Sequence, residues 1–299
     1  MGWHFLLQCM KVKSESEVAQ FLAGDVRIGG TYTSEYVRVA NNTWQSTSDR
    51  ATRLTVMPGG SLKVLSQSGD FNGRGAGAFA VAAGGTVDIA GTELLLTSNN
   101  THYVDGAMTV TCPLVAQGGR QVFRGDGTLT LSGGLSGDGS VRVEGGLTLV
   151  PGGEWRGDVA LSFKDDVTVA PTADWAFRGA SLDLAHHSKL TIATGGHTVT
   201  LGRPIASDSG TLAVTGNGTV EIAAEGMSLD KVEMADGATF TVAKDVLASG
   251  SYVDVLAVRE DDDSISFSSA NRKLRKRVDE NGYTVYSVKG KKGIMLIFR

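Results

Sequence analysis

Cysteine and proline are scarce in this chain. Only two cysteines, Cys9 and Cys112, occur in 299 residues, which excludes a framework of several disulfides. Only five prolines occur, so the 40 glycines do not mark a collagen or a Pro/Gly-rich disordered chain. No apolar run approaches the ~20 residues that a membrane-spanning helix needs. We therefore expect no membrane span in this chain.

An excess of positive charge is also lacking. The 28 Lys and Arg residues against 32 Asp and Glu give a net charge of -4. No overall basic field exists to attract nucleic acid, and we expect no nucleic-acid partner. Hydrophobic residues make up 41% and charged residues 20% of the chain. This composition provides a core and excludes a disordered polyelectrolyte.

The first nine residues briefly imitate an export signal. They lack a basic region before the apolar stretch, the stretch is too short, and no small-residue cleavage site follows. An export signal is thus not visible. We interpret this end as a native cap or as an interior cut of a longer gene product.

One short helix is predicted near this end. Residues 14–22 begin with Ser14 as a possible N-cap and have Glu17 three positions later, which is the capping-box spacing. Their apolar residues fall on one face at i, i+3 and i+4, and Gly24 then ends the helix. Residues 1–24 are therefore predicted to form an N-terminal cap with a short helix.

From Arg27 onward the helical period disappears and short β-forming segments take over. Most of them alternate apolar and polar residues, as Thr128–Leu131 and Val141–Val143 do. This alternation is typical of strands with one buried face. The pattern predicts that ten apolar side chains point inward: Leu129, Leu131, Val141, Val143, Leu147, Leu149, Leu182, Leu184, Leu190 and Ile192.

Two or three of these strands recur about every 20 residues, a typical length for a short solenoid repeat. Gly125–Leu131, Gly137–Val143 and Gly216–Ile222 share a Gly and Asn/Asp turn followed by a short strand. Strands this short need neighbours above and below, which coil-on-coil stacking provides. A β-sandwich is the alternative, but it normally has fewer and longer strands. We predict an all-β parallel β-helix over residues 25–246 and a C-terminal β cap over 247–299.

Several segments resemble known β-helical families. Asp25–Thr33 resembles the first coil of pectin-lyase-like right-handed parallel β-helices, where a capping helix leads into a similar segment. Gly127–Gly133 and Gly218–Ile222 resemble the autotransporter-associated β-strand repeat of bacterial surface and secreted proteins. Gly250–Leu256 and Gly282–Val288 resemble the closing strands of passenger-type proteins. The resemblance implies a right-handed solenoid on the bacterial surface or in the medium.

No series of ~10-residue alternating membrane strands follows these segments before Arg299. We therefore expect a passenger-like module and not a self-secreting autotransporter.

The C-terminal segment is predicted to fold as an antiparallel cap. The strands Tyr252–Val258 and Tyr283–Val288 are longer than the coil strands, and Ile294–Phe298 would be the last strand. An acidic run over 259–263 and a basic run over 272–277 lie between them. We interpret the two runs as a hairpin with offsetting charges, and the alternative for the basic run is a patch for anions or surface polymers.

Candidate binding residues are aromatic. Trp44, Trp155 and Trp175 are candidates for stacking on sugar rings, because exposed aromatic residues on a β-helix can do so. The alternative is that they cover the core at turns.

The sequence signals for catalytic and metal-binding residues are weaker. The carboxylates that a polysaccharide lyase or hydrolase could recruit have no spacing that singles out a pair, and we interpret them as solvated positions: Asp165, Asp166, Asp183, Glu221 and Glu225. The adjacent His186 and His187 would point to opposite faces of a strand, so they could not bind one metal ion. Gly133–Gly139 resembles a calcium-binding β-roll repeat, but the motif occurs only once and β-rolls need several in tandem. Cys112 is interpreted as a small core residue. We predict no catalytic, cofactor or metal site.

These observations favour a non-enzymatic secreted or cell-surface module that acts as an adhesin, spacer or scaffold. The alternative is a carbohydrate-binding or polysaccharide-degrading β-helix, and a third possibility is a phage tail-fibre segment, which a stable trimer would favour. The expected partners are host or surface glycans or other surface proteins, and the expected state is a monomer.

Overall fold

The computed structural model describes residues 6–7, 18–21, 25–39, 52–71, 77–247, 251–261, 263–268 and 273–289. These residues form 31 strands and no helix. None of them belongs to a helix that is long and apolar enough to cross a membrane. The described part of the chain is therefore all-β, as the sequence predicts.

The strands are short and follow one another closely along the chain. The first sixteen are β1 (Leu6–Leu7), β2 (Val18–Phe21), β3 (Asp25–Ile28), β4 (Thr31–Ser34), β5 (Tyr36–Val39), β6 (Thr52–Val56), β7 (Ser61–Gln67), β8 (Gly77–Val81), β9 (Thr86–Gly91), β10 (Leu94–Thr97), β11 (Asn100–Val104), β12 (Ala107–Val110), β13 (Leu114–Gln117), β14 (Arg120–Arg124), β15 (Thr128–Leu131) and β16 (Leu135–Gly137). The others are β17 (Ser140–Glu144), β18 (Thr148–Pro151), β19 (Ala160–Lys164), β20 (Asp166–Val169), β21 (Trp175–Phe177), β22 (Ser181–Leu184), β23 (Lys189–Ala193), β24 (Thr198–Leu201), β25 (Thr211–Thr215), β26 (Thr219–Ile222), β27 (Met227–Met234), β28 (Thr239–Val242), β29 (Tyr252–Glu260), β30 (Lys273–Val278) and β31 (Thr284–Lys289).

From β6 to β29, consecutive strands lie on different walls of a parallel β-solenoid of about nine turns. The first wall is the sheet β1-β3-β6-β8-β11-β14-β17-β19-β22. The second wall is the sheet β4-β7-β9-β12-β15-β18-β20-β23-β25-β27-β29-β31-β30. The third wall consists of β10-β13-β16 and β21-β24-β26-β28, and single bridges through Trp155 to Leu135 and Phe177 join its two parts. A separate pair, β2-β5, lies near the N-terminal end.

The repeat length is set by the register of the parallel strands. On the second wall Thr86, Ala107, Thr128, Thr148 and Thr168 are successive Cα partners, so each coil there takes 20 or 21 residues. The predicted repeat of about 20 residues is confirmed. Because partners stack directly, each side chain lies above the equivalent side chain of the preceding coil.

A single hydrophobic core runs through the stack. It extends from Ile28 near the first coils to Val288 in the C-terminal sheet. All ten side chains that the alternation places inward are buried, at 4% exposure or less. The predicted strand register is therefore confirmed. Burial of an aliphatic side chain of this size stabilises the fold by roughly 1.5–3 kcal/mol.

The glycine-rich turns are a consequence of the spacing between coils. A Cβ added at Gly137 would lie 1.9 Å from the Ala116 carbonyl oxygen, and one at Gly125 would lie 2.4 Å from the Val104 carbonyl oxygen. The backbone φ is +118° and +145° at these two residues, where side chains are disfavoured. Glycine is required where turns stack this closely.

The predicted N-terminal helix is wrong in its described part. Val18–Phe21 forms β2, which pairs in parallel with β5. A nine-residue helix is marginal in water, and Val and Phe favour strands. Pairing with β5 satisfies the backbone of this segment, which a short surface helix would leave partly open. Residues 14–17 and 22 lie outside the described residues.

The C-terminal antiparallel sheet is present in part. Strand β29 pairs in parallel with β27, and it pairs with β31 in antiparallel fashion. Strand β30, which is built from the basic run, is antiparallel to β31. The direction of the chain thus reverses at the end of the second wall. The predicted strand over 294–298 lies outside the described residues.

The two charge runs are linked by ion pairs, but they do not form a hairpin with each other, because β31 lies between β29 and β30. Lys276 contacts Asp261 at 2.6 Å and also binds Asp263. The Tyr286 hydroxyl donates a hydrogen bond to Asp261 at 2.8 Å. Burial and this carboxylate raise the pKa of Tyr286 to about 12.

Replacement of Leu129 by alanine tests the core. Leu129 is fully buried between its partners Met108 and Leu149, so Leu129→Ala is expected to lower the free energy of unfolding by about 2–5 kcal/mol in urea denaturation. The control is Thr130→Ala, an outward-facing neighbour that should change stability by about 0.5 kcal/mol or less. Equal losses in both variants would contradict the register.

Removal of one complete coil tests the repeat. Deletion of 128–147 removes one strand from each wall, β15, β16 and β17, and places Thr148 over Ala107 in the same column. Since coils contact only their neighbours, we expect native-like β circular dichroism and cooperative melting. Deletion of 128–137, the control, removes half a coil and should abolish cooperative melting. A cooperative transition in the control would contradict the assignment of residues 128–147 to one coil.

Candidate functional site

A cleft lies along the third wall in the C-terminal half of the solenoid. It follows β21, β24, β26 and β28, which are in register. The turns after these strands therefore stack, and they enclose a volume of about 640 Å³. The lining residues are Arg178, Thr200, Gly202, Arg203, Glu221, Ala223, Ala243, Lys244 and Asp245.

The floor of the cleft is formed by outward-facing strand residues. Thr200 and Glu221 are Cα partners on adjacent coils, and the Thr200 hydroxyl donates a hydrogen bond to Glu221 Oε2 at 3.0 Å. Val199 and Leu201 on either side of Thr200 are buried. The alternation that fills the core thus also places polar groups on this wall.

Arg203 is anchored at the rim. Its Nε–H donates to the carbonyl oxygens of Gly179 at 2.8 Å and Ala180 at 3.1 Å. A guanidinium has five N–H donors, and these bonds use only the one on Nε. The other four have no hydrogen-bond partner in the part of the chain that the structure describes.

The cleft is mixed in charge with an excess of cations. Three of its residues are cationic, Arg178, Arg203 and Lys244, and two are anionic, Glu221 and Asp245. Within the described residues, the exposed side chains of Arg178, Lys244 and Asp245 form no hydrogen bond or ion pair. Guanidinium and ammonium groups bind carboxylates and sulfates.

The structure places two of the three candidate tryptophans in the core. Trp155 is 1% exposed and Trp175 is 7% exposed, and their rings contact edge to face at 5.0 Å between centroids. Trp155 donates from Nε1 to the Gly152 carbonyl at 3.0 Å. A buried ring cannot stack on a sugar, so the sugar-stacking interpretation is wrong for these two tryptophans, whose rings belong to the core. Trp44 lies outside the described residues.

The candidate carboxylates do not converge. Asp165, Asp166, Asp183 and Glu225 are exposed at separate places on the solenoid, and Glu221 is the one that lines the cleft. The interpretation of the four as solvated positions agrees with their exposure.

The histidine pair lies in a turn rather than a strand. Ser209 Oγ is 3.1 Å from His186 Nδ1 and accepts the His187 backbone N–H at 3.1 Å. In the Gly133–Gly139 segment, Asp138 Oδ1 accepts the Gly118 N–H at 2.9 Å and so joins two coils. No group of three or more His, Cys, Asp or Glu within the described ranges could hold a metal ion.

Cys112 is 2% exposed, as expected for a core residue. Burial raises the pKa of its thiol. A thiol in these surroundings is less readily ionised and is a poorer nucleophile.

A buried histidine was missed at the sequence level. His102 is a Cα partner of Phe123 and is in register with Phe79, and its ring stacks on Phe123 at 4.8 Å. Its Nδ1 accepts the Phe79 N–H at 3.2 Å, which leaves Nε2 to donate to Gln121 Oε1 at 3.2 Å. Burial lowers the pKa of His102 to about 4. The alternation through Thr101 and Tyr103 is the signal that places it inward.

This histidine predicts a loss of stability in mild acid. The pKa in the folded protein is about 4, below the ordinary value of 6.5, so the unfolded chain binds the proton more tightly. The free energy of unfolding should therefore fall as pH drops from 6.5 towards 4, by up to about 3 kcal/mol. Urea denaturation at several pH values measures the fall.

The matched variants for this measurement are His102→Gln and His197→Gln. The first should flatten the dependence between pH 6.5 and 4, while the second, in a half-exposed turn, should follow the unaltered chain. An unchanged dependence in His102→Gln would assign the effect to other groups.

The family comparisons give no relative. No family model, no curated protein and no solved structure matches this chain. The geometry alone defines the class of protein, which is a parallel β-solenoid with a charged cleft on one wall.

Proposed function

We propose that this chain is a rigid spacer or scaffold module. The observation that carries the proposal is the parallel pairing of strands from coil to coil along the second wall, from β4 to β29, over one continuous core. A stack in which every coil is hydrogen-bonded to the next transmits length and direction along one axis. Seven steps separate β9 from β27 on the second wall, which corresponds to roughly 34 Å at about 4.8 Å per step.

The outer surface supports this role. Thr128, Thr148, Thr168 and Thr191 form one column of Cα partners on the second wall. Threonine is β-branched and stiff at χ1, and its hydroxyl is compatible with water. A column of this kind stabilises each coil without creating an exposed apolar surface.

We propose a secreted or cell-surface location and a right-handed winding. The support is the resemblance of the repeats to autotransporter-associated and pectin-lyase-like β-helices, together with the rule that crossovers between parallel strands are right-handed. The antiparallel C-terminal sheet acts as the cap of the last coil in this proposal. The Phe267 ring lies 5.6 Å from both Phe240 and Tyr286 and links that sheet to the core.

A distance measurement tests the spacer. Spin labels on Thr92→Cys and Asp236→Cys, two exposed turn residues, with both native cysteines replaced, should give one narrow distance distribution near 34 Å. Duplication of residues 128–147 should lengthen that distance by about 5 Å. A broad distribution, or no lengthening, would refute a rigid spacer, and a stable trimer in solution would favour the tail-fibre alternative.

The cleft supports a second candidate function, the binding of an anionic glycan. The supporting observation is that the side chains of Arg178 and Lys244, and the terminal nitrogens of Arg203, have no partner among the described residues. Such groups bind uronate carboxylates or sulfate esters.

Titration with uronate oligomers by calorimetry tests this candidate. The variant Arg178→Ala with Lys244→Ala should weaken binding about tenfold or more, while Lys63→Ala with Arg120→Ala on other walls should not. Release of unsaturated products, measured by ultraviolet absorbance, would show a lyase instead of a binding module. If titration of the unaltered chain gives no heat of binding, this candidate function is wrong.

A further inference from the structure

Among the described strands, the outermost strand of the C-terminal sheet has one edge without a partner. Strand β30 pairs with β31 on one side and ends the second wall. On the other side its backbone groups have no partner among the described residues. An edge of unpaired N–H and C=O groups is a template for an added strand.

One face of this edge is strongly basic. Lys273, Arg275 and Arg277 alternate along β30 and so point to the same face. Arg277 binds Asp254 at 2.6 Å, while Lys273 and Arg275 are exposed and have no ionic partner in the described part of the chain. Lys289 lies directly opposite Lys273 and adds charge of the same sign.

The other face of the edge is apolar and incomplete. Leu274 is 45% exposed and Val278 is 70% exposed. Leu274 is paired with Val288, which belongs to the buried core. The two exposed side chains therefore lie at the solvent-exposed edge of the hydrophobic layer to which Val288 belongs.

Lys276 does not leave a free charge on this apolar face. It lies between Leu274 and Val278 and is held by Asp261 and Asp263, with its Nζ 5.5 Å from the centre of the Tyr286 ring. A strand that extends the layer would therefore meet two aliphatic side chains and one neutralised lysine.

The charges select against a second copy of this chain. Pairing of β30 with another β30 would bring Lys and Arg opposite Lys and Arg, which is destabilising across strands. Edge lysines commonly serve to prevent such self-association. The same charges attract a strand of opposite sign. Prevention of self-association alone does not explain why Leu274 and Val278 are exposed beside these charges.

We propose that the free edge of β30 binds an extended acidic segment of a partner protein by strand addition. The segment alternates acidic residues, which face Lys273 and Arg275, with aliphatic residues, which cover Leu274 and Val278. Main-chain hydrogen bonds provide the affinity, and this alternation provides the specificity. The inference does not depend on the spacer role or on the cleft.

Anisotropy of a fluorescent octapeptide of alternating Glu and Val, titrated with the full chain, measures the binding. We expect saturable binding that weakens as salt is raised, because the pairs are near the surface. The variant Lys273→Glu with Arg275→Glu should weaken binding about tenfold or more. The matched control is Lys63→Glu with Arg120→Glu, exposed residues on the solenoid walls, which changes net charge equally and should leave binding unaltered.

Two further probes separate strand addition from simple charge attraction. A peptide of the same sequence with alternate N-methylated residues cannot form the backbone ladder and should not bind. The variant Leu274→Ser with Val278→Thr keeps every charge and should weaken binding severalfold. Far-ultraviolet circular dichroism and melting temperature confirm that the variants fold.

The proposal is overturned by any of three results. These are no binding of the octapeptide to the unaltered chain, equal binding of the N-methylated peptide, and equal weakening by the wall control. Equal binding of the N-methylated peptide would identify a general polyanion patch, such as one for a sulfated glycan.

Discussion

The backbone hydrogen bonds between successive parallel coils are the constraint on which the rest of this structure depends. Strands of three to five residues bury too little surface to stand as hairpins. Pairing above and below satisfies their backbone and fixes the register, and the register then places each side chain over its equivalent. The buried columns, the outward threonine column and the glycines at Gly125 and Gly137 all follow from a spacing of about 4.8 Å between coils.

The same constraint creates a problem at the ends of the stack. A parallel ladder always leaves an unpaired strand at its end, and that strand would accept another molecule. At the C-terminal end the chain reverses direction, and β31 and β30 continue the second wall as antiparallel strands. The outermost strand of this wall is thereby the basic strand β30 instead of β29.

The sequence predicts well what is local and periodic. Alternation within Thr128–Leu131 fixes which side chains are buried, since a shift of one residue would invert every one of them. The repeat of about 20 residues follows from the recurrence of similar turns. These two patterns are enough for the solenoid and its register, and neither requires knowledge of distant contacts.

What depends on distant partners could not be predicted. Val18–Phe21 fits a helical period as well as a strand, and only its pairing with Tyr36–Val39 decides between them. Trp155 belongs to the third wall only through single bridges, and no alternating run around it fixes the direction of its side chain. The cleft combines turns from successive coils, such as Arg178 and Lys244, and nothing in their separation along the chain singles them out.

Specific recognition requires that the repeat be broken. Thr128, Thr148, Thr168 and Thr191 present the same surface on four successive coils, so this column cannot distinguish one of these positions from another. Distinct groups come together where the pattern changes, at the charged turns of the third wall and at β30. The part of the chain that repeats therefore determines shape and stability. Under the proposed roles, selectivity for a ligand or partner would reside in the C-terminal irregularities.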